Sequence, residues 1–151
     1  MNYRELPPDQ LVDLLADKSQ RYEVIVALVG GITATELRKV KVSPEAKQAL
    51  IDGLNHRNSK VRWWCINLMD HLADESYLPH LLNAAQTDPT PKNRRHAIHA
   101  MMCEVCKPTR QPLQLDSGLL AQIAAIAHTD GDLSVREMAL HELEAFNAKA
   151  K

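Results

Sequence analysis

An internal repeat is the feature of this sequence that most constrains the fold. Three segments carry an arginine, a small residue three positions later and a large apolar residue four positions further on. They read Val61-Arg62-x-x-Cys65-x-x-x-Met69, Asn93-Arg94-x-x-Ala97-x-x-x-Met101 and Val135-Arg136-x-x-Ala139-x-x-x-Leu143. A leucine-bearing segment precedes each of them, and the arginines are 32 and then 42 residues apart. Periods in this range are typical of helical solenoids, so the repeat predicts a stack of antiparallel helix pairs.

The residue types of the repeat suit this packing. A small residue lets two helix backbones approach each other, and an arginine can lay its stem over the core while its guanidinium bonds to turn carbonyls or carboxylates. The ten additional residues between the second and third arginines correspond to the segment 107–116. Because this segment has prolines at positions 108 and 112, it is predicted to be a longer loop.

Helix-start and helix-stop residues divide the rest of the chain. Ser43, Pro44 and Glu45 form the strongest start, Ser19 is expected to cap the second helix, and the glycine pair at 30 and 31 ends it. The predicted helices cover residues 8–16, 19–29, 43–55, 58–72, 76–86, 91–106, 117–128 and 133–147. Residues 33–42 are predicted to be a weak helix or a connector.

Composition and charge exclude several classes of protein. The 151 residues suit a single domain, 1–151, and Leu- and Ala-rich composition with 5 glycines favours helices over strands. With 18 basic and 19 acidic side chains the net charge is -1, so any electrostatic function must be local. The longest apolar run is too short for a membrane span, and we expect no membrane partner. Three cysteines and no signal-like amino terminus predict a reducing, cytoplasmic location.

These motifs resemble the HEAT-repeat family, whose second helix typically carries a Val-Arg pair followed by a small residue. Residues 43–147 hold three such repeats, although Asn93 replaces the usual valine in one of them. Residues 8–42 are a degenerate N-terminal repeat and connector, with Arg21, Val24 and Leu28 in the arginine, small and apolar positions. The resemblance implies an all-α, right-handed superhelix, or armadillo-like α-solenoid, with its second helices on a concave surface. Most such proteins are binding scaffolds, while some are enzymes or nucleic-acid proteins.

A histidine and cysteine pattern raises the question of a metal. His96, His99, Cys103 and Cys106 would share one stripe of the predicted helix 91–106, and imidazole and thiolate are suitable zinc ligands. Ten residues of helix extend about 15 Å, so one ion could not reach all four and would need a ligand from another helix, such as His71 or His141. Because the Cys-x-x-Cys has no second pair, the alternative that these residues only pack is favoured, and we predict no metal and no cofactor.

Cations cluster at the starts of two second helices, and no acidic residue occurs from Pro89 to Cys103. If the repeats stack in register, these cations form a basic edge that could bind phosphate, an acidic peptide or nucleic acid. The edge does not continue into the third repeat, where Asp130 and Asp132 occupy the turn. Nucleic-acid or phosphate binding is therefore the alternative function, and its residues are Arg57, Lys60, Lys92, Arg94 and Arg95.

The leading prediction is a non-enzymatic scaffold that binds a protein or peptide on its second-helix surface, because no catalytic motif is found. Trp63 and Trp64 point about 100° apart on a helix, so one could be an exposed contact anchor, or both could fill gaps between helices. The oligomeric state stays open. The predicted partner-binding residues are Trp63, Trp64, Asn67, His71, Arg95, His96, His99 and His141.

Overall fold

The computed structural model describes residues 1–37, 39–107 and 113–150, and within these ranges it contains helices and no strands. The predicted loop residues 108–112, including both prolines, lie outside the described part. Short 3-10 helices occur at Tyr3–Glu5, Leu14–Ala16 and Glu75–Tyr77. The α-helices are α1 Pro8–Asp13, α2 Arg21–Val29, α3 Ala34–Leu37, α4 Pro44–Gly53, α5 Ser59–Leu72, α6 Leu78–Thr87, α7 Pro91–Met102, α8 Ser117–Thr129 and α9 Leu133–Lys149.

Most predicted helix ends are confirmed by their capping contacts. Ser43 Oγ accepts a hydrogen bond from the Ala46 backbone N–H at 3.1 Å, and the Asn58 side chain caps α5 in the same way. Gly30 ends α2 with a φ of 83°, a left-handed conformation that glycine adopts without a Cβ penalty. Within the described residues, no helix is long and apolar enough to cross a membrane.

Two expectations about helix ends are wrong. Ser19 does not cap α2, because Asp17 is the acceptor in this turn and binds both the backbone N–H and the hydroxyl of Ser19. The helix predicted over 91–106 ends at Met102, and Cys103 is extended with φ -73° and ψ 118°. Cys106 therefore lies beyond the helix and reaches its neighbours through a turn.

Helical hairpins stack as the repeat predicts. The pairs α4 and α5, α6 and α7, and α8 and α9 each pack together, while α7 contacts both α5 and α9, and α1 packs on α2 and α4. The small residues of the repeat, Cys65, Ala97 and Ala139, are fully buried. Gly53 of α4 approaches Cys65 so closely that a Cβ at position 53 would lie 2.5 Å from its sulfur. The result is an all-α, HEAT-like solenoid.

Each repeat arginine binds the turn of its own hairpin. The guanidinium donates to the carbonyl oxygen six residues earlier, at 2.8 Å for Arg62, 2.9 Å for Arg94 and 2.6 Å for Arg136. Arg21 makes the same contact with the Leu15 carbonyl at 2.8 Å. The shared contact supports the assignment of α1 and α2 as a degenerate repeat.

Two of these arginines also bind the turn of the following hairpin. Arg62 donates to both carboxylate oxygens of Asp88, at 2.8 and 3.3 Å, and Arg94 donates to both oxygens of Asp130, at 2.9 Å each. The Asp88 and Asp130 side chains are only 2% and 8% exposed. We call this set of bonds the arginine ladder, and it joins the last three hairpins to one another by paired, charge-assisted hydrogen bonds.

Candidate functional site

The exposed side of the second helices contains two neighbouring cavities on either side of Trp63. The tryptophan cavity has a volume of about 260 Å³ and the histidine cavity about 350 Å³. Lys18, Arg21, Ser59, Lys60, Trp63, Trp64, Thr90, Lys92 and Asn93 line the first cavity. Trp63, Lys92, Arg95, His96, His99 and Met138 line the second. Because α5, α7 and α9 pack side by side, they carry most of these residues on one surface, while Lys18 and Arg21 come from the turn before α2 and its first residue.

An aromatic stack crosses this surface from α5 to the end of α7. The Trp63 ring stacks on His96 with centroids 5.0 Å apart, and His96 stacks on His99 at 5.9 Å. Trp64 meets Trp63 edge-on at 4.9 Å, and Asn67 Nδ2 donates to His96 Nε2 at 3.4 Å. Both tryptophans are half-buried, but Trp64 packs against the core while Trp63 lies between the cavities. The stack thus provides a rigid aromatic surface.

Cations surround the tryptophans. The Arg21 guanidinium lies 4.6 Å from the Trp64 ring centroid, and Lys92 Nζ lies 5.4 Å from that of Trp63. Lys18 and Lys60 complete the cationic lining of the tryptophan cavity. These contacts give the cavity a positive potential beside aromatic faces.

Arg21 is available to the cavity because of one difference between repeats. In the following hairpin, the position that holds Asp88 and Asp130 in the later repeats is His56. Arg21 therefore has no ladder aspartate at that position and extends over Trp64 instead.

The residues of the predicted basic edge are divided between different places. Lys60 and Lys92 line the tryptophan cavity, and Arg95 lines the histidine cavity. Arg57 lines a separate cavity beside α4 and α6. Arg94 is bound to Asp130 in the ladder, and this contact holds the pKa of the Asp130 carboxyl below its usual range.

The remaining predicted partner residues, His71 and His141, do not line either cavity. His71 Nδ1 donates to the Cys106 carbonyl at 3.3 Å, and His141 is exposed on α9. The α9 residue that reaches His99 is Glu142, whose carboxylate accepts from Nδ1 at 3.0 Å. The sequence does not indicate Glu142 as a site residue, because its role depends on which face α9 presents to α7.

A cluster of metal-ligand atoms lies beside the histidine cavity. His99 Nε2 and the sulfurs of Cys103 and Cys106 all lie within 4.8 Å of one another. Burial and the nearby Asp70 carboxylate raise the pKa of the Cys106 thiol to about 12. Burial lowers the pKa of His96 to about 4, whereas the hydrogen bond that His99 donates to Glu142 raises the pKa of His99. His96 is consequently a neutral ring at pH 7.

Comparison with known protein families agrees with this architecture. A model of HEAT repeats matches residues 8–102, which is more than half of the chain, and the protein belongs to the HEAT-repeat family. The match includes the degenerate N-terminal repeat, whereas the hairpin of α8 and α9 lies outside it. HEAT repeats are typically protein-interaction scaffolds and are generally non-enzymatic. No curated protein and no solved structure matches the chain significantly.

Proposed function

We propose that this protein is a non-enzymatic, cytoplasmic scaffold that binds a protein or peptide partner on the surface formed by α5, α7 and α9. The observation that carries the proposal is the Trp63–His96–His99 stack between two cavities. Tryptophan is enriched among interface hot spots, where a rigid ring contributes large contact area at a small entropic cost. A half-buried Trp63 flanked by cavities has the form of such an anchor.

The charges around the stack indicate the chemistry of the partner. Lys18, Arg21, Lys60, Lys92 and Arg95 line the two cavities. A positive surface favours a partner segment that carries carboxylates. The cavities suit apolar or aromatic side chains that lie between those carboxylates in the partner. We therefore propose an acidic segment with one or more large apolar side chains as the ligand.

Nucleic acid is the second candidate, because bases stack on aromatic rings beside cations. Because the residues of the predicted basic edge lie in different places, the structure favours nucleic acid less than a protein partner. Arg57 lies at another cavity and Arg94 is bound by Asp130, so they do not extend the cationic lining along a path for a phosphate backbone.

We further propose that residues 1–151 act as one domain. A single cluster of buried apolar residues extends from Leu11 in α1 to Ala139 in α9. An uninterrupted core of this kind is the property that defines a domain. The partner surface would then be a rigid feature of the whole stack rather than of one hairpin.

An affinity capture with surface variants tests the proposed function. Tagged wild-type protein, Trp63→Ala, Lys92→Glu and the control Lys41→Glu would be incubated with lysate of the native host, with and without nuclease. Lys92 and Lys41 are both exposed, but only Lys92 lines the cavities, so the two charge reversals are matched and should not affect folding.

We expect wild type and Lys41→Glu to recover the same partner protein in equal amounts, with or without nuclease. Trp63→Ala and Lys92→Glu should not recover it. Equal recovery by all four proteins would reject this surface as the binding site. Recovery that disappears with nuclease, and falls steeply with salt, would replace the protein partner with nucleic acid.

A further inference from the structure

We propose that His99, Cys103 and Cys106 form a binding site for one thiophilic divalent cation, with zinc as the expected metal. The proposal goes beyond the scaffold function, and it replaces the expectation from sequence that these residues only pack. It is tested by metal content rather than by partner binding, so either proposal can fail while the other holds. Two sulfurs and an imidazole nitrogen form a ligand set that zinc prefers and that hard cations such as Mg²⁺ do not.

Two of the three distances between the ligand atoms are close to those of a tetrahedral site. With metal–sulfur bonds of about 2.3 Å and metal–nitrogen bonds of about 2.0 Å, two sulfurs lie about 3.8 Å apart and a sulfur and a nitrogen about 3.5 Å apart. The Cys103 and Cys106 sulfurs are 3.5 Å apart, and Cys106 Sγ is 3.2 Å from His99 Nε2. These two distances differ from the tetrahedral values by about 0.3 Å, and all three ligand atoms lie within 4.8 Å of one another. The Cys103 and His99 side chains would close on each other when an ion binds between them.

The end of α7 at Met102 creates this arrangement. On a continuous helix Cys106 would lie two turns beyond His99, but the extended backbone at Cys103 starts a turn that brings Cys106 back to the histidine. The spacing His-x-x-x-Cys-x-x-Cys thus places three ligands around one point. The helical stripe predicted from sequence could not do this.

The orientation of His99 also suits a metal ligand. A carboxylate accepts hydrogen bonds only, so the contact of Glu142 with Nδ1 places the proton on that nitrogen. The lone pair of Nε2 then points toward the sulfurs. Metal-bound histidines commonly have a carboxylate in this outer position, which fixes the tautomer and the ring orientation.

The turn that carries the cysteines is anchored to the core rather than loosely attached. Lys107, directly after Cys106, is 1% exposed, and its ammonium binds the Asp70 carboxylate and the carbonyls of Asp70 and Ala100. His71 holds the Cys106 carbonyl at 3.3 Å. These bonds hold the turn so that the ligands are placed before an ion arrives, which reduces the entropic cost of binding.

Binding one divalent cation would form two metal–sulfur bonds and one metal–nitrogen bond. The two thiol protons would go to solvent, and a water molecule would occupy the fourth position. The Asp70–Lys107 pair stays intact because neither group supplies a ligand.

Metal analysis of protein free of histidine tags tests the proposal. Wild type, Cys106→Ser and the control Cys65→Ala would be purified in reductant, stripped with a chelator, and titrated with Zn²⁺ and with Co²⁺. Cys65 is a buried cysteine away from the cluster, so its removal controls for the loss of a thiol. Titration of the wild type alone decides the question even if a variant does not fold.

We expect one zinc per chain in wild type and in Cys65→Ala, with at least tenfold weaker binding in Cys106→Ser. Cobalt should give thiolate charge-transfer absorption and the intense visible bands of a tetrahedral site. Three results would overturn the proposal. Wild-type protein could bind no zinc, or it could bind cobalt without thiolate absorption. Cys106→Ser could also bind zinc as tightly as wild type.

Discussion

The arginine ladder gives a direct prediction about stability, because two equivalent arginines differ in their contacts. Arg62 binds its own turn and the carboxylate of Asp88, whereas Arg136 binds its own turn at the Asp130 carbonyl. Since Arg136 belongs to the last described hairpin, replacing it breaks no bridge to the aspartate of a following hairpin among the described residues. We predict that Arg62→Ala destabilises the fold far more than Arg136→Ala.

The magnitude follows from what each substitution leaves behind. Arg62→Ala leaves the Asp88 carboxylate, with a side chain 2% exposed, without its cation, and removing one partner of a buried pair costs about 3–5 kcal/mol. Thr90 N–H and Asn93 Nδ2 still donate to this carboxylate, so we expect the lower part of that range. Arg136→Ala loses a partly buried hydrogen bond worth about 1 kcal/mol or less.

Urea unfolding followed by far-ultraviolet circular dichroism measures the difference. For a chain of 151 residues, a loss of about 3 kcal/mol lowers the melting temperature by about 10 °C. A double-mutant cycle of Arg62→Ala with Asp88→Ala should give a coupling energy of at least about 1.5 kcal/mol. Equal effects of Arg62→Ala and Arg136→Ala, or a coupling energy near zero, would refute the ladder as a source of stability.

Two further substitutions test the packing and the pH dependence. Gly53→Ala would place a methyl group 2.5 Å from Cys65 Sγ, so we expect a loss of about 1–3 kcal/mol in chemical denaturation, and a neutral effect would contradict the close approach of α4 and α5. The pKa of Asp130 is lowered by its arginine, so its stabilising effect is present above its unfolded pKa and is lost as pH falls through the folded value. Asp130→Asn should be less stable than wild type at pH 7, and the difference should shrink on acidification; a constant difference would argue against the ion pair.

The repeat allows most of the fold to be predicted from sequence. An arginine followed by a small and then a large apolar residue marks the same helix face each time, and the caps at Ser43 and Asn58 are local signals. The pairing of Arg94 with Asp130 does not follow from the sequence, because the partner lies 36 residues away and the sequence alone shows this aspartate only as the end of a basic edge. Its identification needs the register between hairpins.

The metal cluster shows a different limit of sequence analysis. Helical periodicity extended α7 through Cys106, whereas the chain leaves the helix at Cys103 and turns back. The turn is held by Lys107, which follows α7 and is buried against Asp70 of α5 and the Ala100 carbonyl of α7. A lysine in a polar loop is normally exposed, so nothing local indicated that this one is part of the core.

Site-specific photo-crosslinking in the native host tests the proposed partner surface most directly. A photoactivatable amino acid would replace Lys60, which is exposed at the tryptophan cavity, or Gln122, which is exposed on the first-helix side in α8. The scaffold proposal predicts a crosslinked protein of defined mass from position 60 and not from position 122. Crosslinks to nucleic acid at position 60, or the same protein crosslinked from both positions, would contradict it.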